Sequence, residues 1–235
     1  MDGITQPPGT LFLVVGPSGA GKDTVIVKAK QQLAADSDPR FHFATRYVTR
    51  SAEDCAELEV AKSSAALLAL SEQAGLALSW EAHGLSYAVG TEITAQLAAG
   101  KCVVANVSRM ALQTARMKYR KVKVLNVTAS EETLLARLRA RGREDEEAIA
   151  KRVAAAAENV PGDDVVGIDN DGALEDSVEA LLQALYAEAP ELPSESESES
   201  ESESDEEAAK GGAEAEAEAE AETEAEEAAA APVEA

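Results

Sequence analysis

The chain has 235 residues and a formal net charge of −23 at pH 7. Residues 189–235 hold 18 acidic residues and one lysine, a net charge of −17, which leaves −6 for residues 1–188. No apolar run approaches the roughly 20 residues of a membrane span, and the start MDGITQPPGT lacks the basic and apolar parts of a signal peptide. We therefore expect a cytoplasmic protein with a mildly acidic globular body and with neither a membrane nor a nucleic acid as its partner.

Apolar runs typical of strands alternate with stretches of helical period along the body. The predicted strands are LFLVV at 11–15, FATRYVT at 43–49, LALSW at 76–80, LSYAV at 85–89, CVVANV at 102–107, VKVLNV at 122–127 and DDVVGID at 163–169. The predicted helices cover 23–35, 63–75, 92–100, 110–119, 131–142, 146–160 and 173–189. This alternation is typical of an α/β domain with a mainly parallel sheet, which binds ligands at the carboxyl ends of its strands.

The tail at 189–235 has low complexity and follows the last predicted helix. It reads PSESESESESESD and then AEAEAEAEAETEAEE, so it cannot bury enough apolar surface to offset the entropy of the chain. The Ala-Glu repeat also places glutamates four residues apart, where like charges disfavour a helix. We predict that the tail is disordered and solubilising; the alternative is that it binds a basic partner.

A glycine-rich stretch, GPSGAGKDT at 16–24, lies between the first predicted strand and the first predicted helix. Its spacing is that of the phosphate-binding loop G-x-x-x-x-G-K-[ST], in which backbone amides and the helix N-terminus surround phosphate oxygens and the lysine reaches the β- and γ-phosphates. The stretch therefore predicts binding of ATP or GTP. The predicted nucleotide-binding residues are Gly16, Pro17, Ser18, Gly19, Ala20, Gly21, Lys22, Asp23 and Thr24.

Asp23 takes the place of the hydroxyl residue that normally follows the lysine, and Thr24 comes one position later. A carboxylate is a good oxygen ligand for Mg²⁺. The strand CVVANV, which is the best candidate to end in the usual second acid, ends instead in the neutral Asn106. We predict that Asp23 and Thr24 bind Mg²⁺, directly or through water; the alternative is that Asp23 is only a first-turn residue favoured by the helix dipole.

Arginines cluster in RLRARGRE at 137–144 and recur in IAKRV at 149–153. Phosphoryl transfer needs cations that converge on the transferred group, and Gly142 indicates a mobile turn that would let this segment close as a lid over ATP. Arg139 fits best as part of a solvated basic face. The predicted catalytic arginines from this pattern are Arg141, Arg143 and Arg152.

A second group of arginines follows other predicted strands. Arg46 and Arg50 lie in TRYVTR, and Arg109 comes directly after CVVANVS. Because guanidinium groups pair with phosphates through two hydrogen bonds, these residues predict a phosphorylated acceptor. His83, in the EAHG turn, is interpreted as structural rather than catalytic.

Six stretches occur in a fixed order: GPSGAGKDT, RYVTR, ALSWEAHGLSYAVGTEI, VVANVSR, RLRARGRE and NDGALEDSV. Together they resemble the ribose 1,5-bisphosphate phosphokinases, which belong to the guanylate-kinase-like group, over about residues 10–187. The resemblance implies a three-layer α/β P-loop NTPase fold over residues 10–188. It also implies a mainly parallel five-stranded sheet, with small acceptor-binding and lid segments.

The resemblance implies that the chain transfers the γ-phosphoryl group of ATP to ribose 1,5-bisphosphate, with Mg²⁺, in phosphonate degradation. It assigns Lys22 and the loop to ATP and Asn170 and Asp171 to the adenine. The arginines that match the family's lid are Arg137, Arg141, Arg143 and Arg152. The residues assigned to the acceptor by the resemblance and by their strand ends are Arg46, Arg50, Glu57, Tyr87, Asn106 and Arg109. A sugar bisphosphate lacks a base, so no aromatic stacking surface is expected in a chain that is 3% aromatic.

The chain departs from the family at two motifs near the acceptor residues. One is SYAV, where the family more usually has YYGV, so that Ser86 and Ala88 differ while Tyr87 remains. The family has Glu, then an acidic or amide residue, then His after the second strand, whereas this chain has Glu57, Leu58 and Glu59. Two other functions stay open: a kinase that acts on GMP, and a non-catalytic guanylate-kinase-like interaction module. Asn106 and the Lys-Asp pair disfavour the first, and the intact Lys22 and arginine lid disfavour the second.

Overall fold

The computed structural model describes residues 9–142, 145–156 and 159–191. In chain order its strands are β1 (Leu11–Val15), β2 (Phe41–Phe43), β3 (Arg46–Val48), β4 (Glu59–Ala61), β5 (Leu76–Ala82), β6 (Leu85–Gly90), β7 (Cys102–Asn106), β8 (Val122–Thr128) and β9 (Val165–Asp169). Its helices are α1 (Lys22–Ala35), α2 (Ser64–Glu72), α3 (Glu92–Ala98), α4 (Leu112–Lys118), α5 (Glu131–Arg141), α6 (Glu146–Ala156) and α7 (Leu174–Tyr186). Arg143 and the tail from residue 192 lie outside the described residues.

Within these residues, five parallel strands form the central sheet in the order β2-β7-β1-β8-β9. All five residues of β1 are completely buried, because elements cover the sheet on both faces. Phe12 and Val14 pack with the buried residues of α1, α5, α6 and α7, while Leu11, Leu13 and Val15 pack with those of α3, α4 and the β5–β6 pair. The predicted three-layer fold with a five-stranded parallel sheet is confirmed.

The predicted strand at 43–49 is wrong as a single element. The structure divides it into β2, which ends at Phe43 in the central sheet, and β3, which begins at Arg46 in a second sheet of order β4-β3-β6-β5. The amide of Ala44 still donates to Val104, whereas the amide of Arg46 donates to Leu58. The apolar pattern runs through both pieces because each is partly covered, and only the long-range pairing distinguishes them.

The predicted hairpin between β5 and β6 is confirmed. His83 and Gly84 both have positive φ angles, of 53° and 75°, as the favoured two-residue hairpin turn requires. The turn sets a register in which Trp80 lies opposite Tyr87. The structural interpretation of His83 therefore has a geometric basis, since it forms the first central position of this turn.

The described part of the chain contains no helix that is long and apolar enough to cross a membrane.

The predicted helix at 110–119 begins instead as a short 3-10 turn at Arg109–Ala111, capped by the Ser108 hydroxyl, before α4 starts. At the lid, α5 begins at the Ser130 cap and ends at Gly142, whose φ of 65° lets the chain turn toward α6.

Candidate active site

The phosphate loop connects the carboxyl end of β1 to the first turn of α1. Gly16 has a φ of 143° and Gly21 a φ of 86°, which are conformations that favour glycine. A side chain at Gly16 would also collide with the carbonyl oxygen of Val127, and one at Gly21 would collide with the amide of Asn170. Both glycines are thus required by the packing of the loop against its neighbours.

Lys22 is the first residue of α1, and its side chain folds back over the loop. The ammonium donates to the carbonyl oxygens of Gly16, at 2.9 Å, and Pro17, at 2.8 Å. The pKa of Lys22 is lowered from 10.5 to about 8, mainly by burial and in part by nearby arginines, against the raising effect of the Asp23 carboxylate. The charged neighbours are Asp23, Arg46, Arg109 and Arg141. The three arginines of this group lie near one lysine at the loop, which is the arrangement expected where phosphates bind.

Asp23 lies where the loop meets the end of β7. Its Oδ1 accepts a 2.6 Å hydrogen bond from the amide of Asn106 and lies 3.4 Å from a guanidinium nitrogen of Arg46. The Asp23 side chain is 51% exposed, and Thr24 beside it is also exposed in the cleft. The Oδ1 of Asn106 is buried and has no hydrogen-bond partner among the described residues. A half-exposed carboxylate beside a hydroxyl and an amide oxygen fits the few protein ligands that Mg²⁺ takes in kinases.

Three of the four predicted lid arginines line the same cleft as the loop. Arg152 donates to the hydroxyl of Ser18 at 3.0 Å, and Arg137 donates through Nη2 to the carbonyl of Asn170 at 2.9 Å. Nη1 of Arg137 is buried and has no hydrogen-bond partner within the described part of the chain. Arg141, at the end of α5, also lines the cleft. A buried guanidinium nitrogen that faces a phosphate loop is suited to an anionic ligand.

Arg139 lies on the other side of α5. It forms a bidentate ion pair with Glu146 of α6, at 2.8 to 3.2 Å, and the two side chains are 55% and 70% exposed. Arg139 does not line the cleft. This placement matches its interpretation as part of a solvated face.

Asn170 and Asp171, which the resemblance assigns to the adenine, make contacts with the protein itself. The Asn170 amide is buried; it donates to the carbonyl of Ala20 at 2.6 Å and accepts from the Ser177 hydroxyl at 2.8 Å. The Asp171 carboxylate accepts from the amide and hydroxyl of Ser130, the cap of α5. Asn170 therefore supports the phosphate loop and Asp171 fixes the start of the lid helix, and neither lines the cleft.

The second sheet forms the opposite wall of the cleft, around the buried carboxylate of Glu59. Arg46 donates to one oxygen of Glu59, and Arg50 donates to the other at 3.0 Å, as does the amide of Ala56 at 2.9 Å. Burial raises the pKa of this carboxyl, but the Ala56 amide and the two arginines outweigh burial and hold it below its usual value. Arg50 also donates to the Tyr87 hydroxyl at 3.2 Å. We name the wall formed by Arg46, Arg50, Glu59, Trp80 and Tyr87 the acceptor wall.

Trp80 and Tyr87 form a stacked pair on the acceptor wall, with ring centroids 5.7 Å apart and ring planes 5° apart. The guanidinium of Arg46 lies 5.5 Å from the centre of the Tyr87 ring. The expectation that no aromatic surface is needed missed this pair. The signal was available, because a two-residue turn at His83 and Gly84 places Trp80 opposite Tyr87. Glu59 was also missed, since its partners Arg46 and Arg50 are distant in sequence.

Three residues predicted to contact the acceptor do not line the cleft. Glu57 is exposed and lies 3.7 Å from the ammonium of Lys30. Arg109 donates to the carbonyl of Ala155 in α6 at 3.1 Å, although it is close enough to Lys22 to lower its pKa. Asn106 is buried and reaches the site through its bond to Asp23.

The phosphate loop, the lid arginines and the acceptor wall enclose one open cleft of about 760 Å³. Pro17 and Ala20 belong to the loop but do not line this cleft, and Ala20 is completely buried. Among the described residues, the donor side of the cleft thus has Lys22, Asp23 and three arginines, and the acceptor side has two arginines with the acids Asp54 and Glu59. Such a cleft can hold two phosphorylated molecules whose reacting groups meet between the two sides.

The chain is similar to proteins named ribose 1,5-bisphosphate phosphokinase. It is 41% identical to the one from Rhizobium etli over 184 residues, which cover 77% of this chain and 92% of that protein. It is 39% identical to the one from Agrobacterium fabrum over 180 residues, covering 76% and 97%. No family model matches the chain.

The solved structures include a guanylate kinase from Anaplasma phagocytophilum that matches with a TM-score of 0.60 and 17% identity, over 80% of this chain and 89% of that chain. At this identity the match supports the fold alone. The alignments with the two phosphokinases cover most of the length of those proteins. They confirm the resemblance that the six motifs indicated. The chain therefore belongs to the family of ribose 1,5-bisphosphate phosphokinases.

Proposed function

We propose that the chain transfers the γ-phosphoryl group of ATP to ribose 1,5-bisphosphate, giving 5-phosphoribosyl 1-diphosphate and ADP. The relatives' printed name supports this reaction. The observation that carries it is the cleft, in which the phosphate loop faces Arg46 and Arg50 of the acceptor wall. One positively charged side suits a nucleoside triphosphate and the other suits phosphates on a small acceptor.

On the donor side, the loop amides and Lys22 would bind the phosphates of ATP. Arg137 has a buried guanidinium nitrogen available for a phosphate oxygen, and Arg141 and Arg152 lie along the same side. Because phosphoryl transfer depends mainly on positioning and on neutralising negative charge, these groups would hold the γ-phosphate and stabilise its charge during transfer. Closure of the α5–α6 segment would exclude water, so that the sugar rather than water accepts the group.

On the acceptor side, Arg46 and Arg50 would bind a sugar phosphate. Ribose 1,5-bisphosphate carries about four negative charges, so paired guanidinium groups are the natural partners. Trp80 and Tyr87, which are each 8% exposed and line the cleft, would border the ring of the sugar. The phosphate on C1 would then point toward the donor loop, where its oxygen attacks the γ-phosphate.

We propose that Mg²⁺ accompanies ATP and is held by Asp23, with Asn106 and Thr24 beside it. When bound, Mg²⁺ would neutralise the part of the phosphate charge that the lysine and the arginines do not neutralise. Asp23 is suited to this part because its carboxylate is half exposed and lies at the first turn of α1. We further propose that residues 10–188 carry the whole activity, in the cytoplasm, and that the tail takes no part in it.

A kinase that acts on GMP is the second candidate, because the stacked aromatic pair lines the cleft and offers a surface for a base. The curated relatives favour the sugar bisphosphate. A non-catalytic module is disfavoured, since pure binding would require neither Lys22 nor the arginines that converge on it.

A coupled assay of the purified full chain tests the proposal by detecting 5-phosphoribosyl 1-diphosphate formed from ATP and ribose 1,5-bisphosphate. Parallel reactions contain GMP or ribose 5-phosphate in place of the bisphosphate, and the Lys22→Ala variant serves as the inactive control. We expect product with ribose 1,5-bisphosphate at a kcat/KM at least 100-fold above that with GMP. A preference for GMP, or equal rates in the parent and the lysine variant, would reject the proposal.

A further inference from the structure

Glu59 stands at the centre of the acceptor wall, yet neither the resemblance nor the phosphokinase reaction assigns it a role. Its side chain is only 2% exposed, between those of Arg46 and Arg50, which are 13% and 23% exposed. Each carboxylate oxygen takes a different arginine, and the second oxygen also takes the amide of Ala56. The carboxylate is therefore fully occupied by groups of the protein itself.

The two arginines reach the cleft from this common anchor. The second terminal nitrogen of Arg50 donates to the Tyr87 hydroxyl, and the Arg46 guanidinium lies over the Tyr87 ring. Arg46 also lies 3.4 Å from Asp23 on the donor side. Without Glu59, two adjacent cations would repel each other, and Arg46 would keep Asp23 as its nearest carboxylate.

A carboxylate in this wall has two opposing effects on an anionic acceptor. Its charge opposes the phosphates, so charge alone predicts tighter binding when it is removed. Its two ion pairs, however, hold two long side chains in a single arrangement, and an arginine that must be ordered at binding costs entropy. Because both oxygens are already paired and buried, much of the negative charge is offset by its partners, and the ordering effect is the larger one.

We propose that Glu59 is a positioning residue for the acceptor, which fixes Arg46 and Arg50 so that both can bind phosphates of the sugar. The proposal rests on the proposed function, because it takes ribose 1,5-bisphosphate as the acceptor. It concerns a residue that this chain has where the family pattern has histidine. Glu59 acts through the arginines and does not itself contact the reacting atoms.

The test compares the parent with Glu59→Gln, which keeps the shape and removes the charge, and with Glu59→Asp, which keeps the charge but is too short to reach both arginines. Glu53→Gln is the matched control, because Glu53 is an exposed acid in the same segment that does not line the cleft. Steady-state kinetics give KM for each substrate. Binding of ribose 1,5-bisphosphate without ATP is followed by the fluorescence of Trp80, the only tryptophan in the sequence.

We expect both Glu59 variants to raise KM and Kd for ribose 1,5-bisphosphate at least tenfold, with KM for ATP and the melting temperature close to those of the parent. Glu53→Gln should leave both KM values and the Kd within twofold of the parent and the melting temperature unchanged. An ATP KM that rises in step, or loss of the folding transition in both variants, would assign Glu59 to general structure and overturn the proposal. Unchanged or tighter acceptor binding would overturn it as well.

Failure of the proposed function has a different signature. A parent enzyme that neither binds nor phosphorylates ribose 1,5-bisphosphate overturns both the proposed function and the role of Glu59. A parent that turns over the bisphosphate, with Glu59→Gln equal to it, overturns the role of Glu59 alone.

Discussion

The amide of Asn106 donates a 2.6 Å hydrogen bond to the carboxylate of Asp23. Asn106 ends β7, and β7 pairs directly with β1, which leads into the phosphate loop. The residue at the end of β7 is neutral, and the carboxylate lies instead on Asp23 in the first turn of α1. The hydrogen bond joins the two side chains. This pair is the basis for expecting Asp23 to supply the carboxylate that a strand-end acid usually supplies to Mg²⁺.

Asp23→Asn is expected to raise the Mg²⁺ concentration for half-maximal activity about tenfold or more, because the amide is a weaker ligand than the carboxylate. Titration of Mg²⁺ at fixed ATP measures this change. Asp36→Asn, at the exposed opposite end of α1, is the control and should leave the requirement unchanged. The same requirement in the parent and the Asp23 variant would leave Asp23 as a helix-dipole residue only.

Lys22 predicts a characteristic pH profile. Its pKa in the free enzyme is about 8, so the ammonium that attracts phosphate is present below that value and is lost as the pH rises through it. We expect kcat/KM for ATP, which reports groups of the free enzyme, to fall above pH 8. The phosphates of ATP are fully ionised in this range and do not contribute. A profile that stays flat to pH 10 would contradict this expectation.

Arg137 and Arg139 offer a matched pair, because they lie two residues apart on α5 but on different sides. Arg137→Ala removes a buried guanidinium from the cleft and is expected to lower kcat roughly 100-fold. Arg139→Ala removes an exposed ion pair with Glu146 and should change kcat less than twofold. Single-turnover measurements with saturating ATP make the comparison. Similar losses in both variants would show that general positive charge, rather than position, matters.

The donor half of the site could be predicted because its signals are local. Within 25 residues, β1 is followed by the spaced glycines, Lys22 and α1. The hydrophobic periodicity and the loop motif together therefore define this half of the site. Asp23 was noticed for the same reason, as a mismatch within that motif. The central sheet also followed from alternating strand and helix patterns.

The acceptor half could not be predicted to the same extent, because long-range pairing decides it. Arg46 and Glu59 are 13 residues apart in sequence and meet only because β3 pairs with β4. The prediction favoured Glu57, which precedes β4 and lies exposed beside Lys30, over Glu59, the first residue of β4. The register that places Arg46 beside Glu59 follows from the pairing of β3 with β4, and no local pattern around Glu57 and Glu59 encodes it.

Asn170→Ala distinguishes support of the loop from recognition of the base. The substitution removes buried hydrogen bonds to Ala20 and Ser177, so the free energy of unfolding should fall by about 1–3 kcal/mol. Denaturant unfolding measures that loss. Because the Asn170 side chain does not line the cleft, the ratio of kcat/KM for ATP to that for GTP should equal that of the parent. An altered preference without loss of stability would support the adenine contact that the family resemblance implies.

Removal of residues 192–235 takes away 17 acidic residues and one lysine. We expect the shortened protein to keep kcat/KM and the melting temperature of the full chain, since the described residues that line the cleft all precede Pro190. Its solubility near neutral pH should fall, because net charge resists association. A loss of activity of more than threefold would show that the tail contributes to catalysis.

Gly16 and Gly21 are required by their contacts with Val127 and Asn170, independently of any nucleotide. A duplicated copy of this gene that lost its chemistry would therefore still need both glycines in order to fold. Genome surveys that identify active kinases by the glycine pattern would count such pseudoenzymes as functional. Lys22 and Arg137, whose charged groups line the phosphate-binding cleft, are better markers of a working copy than the glycines.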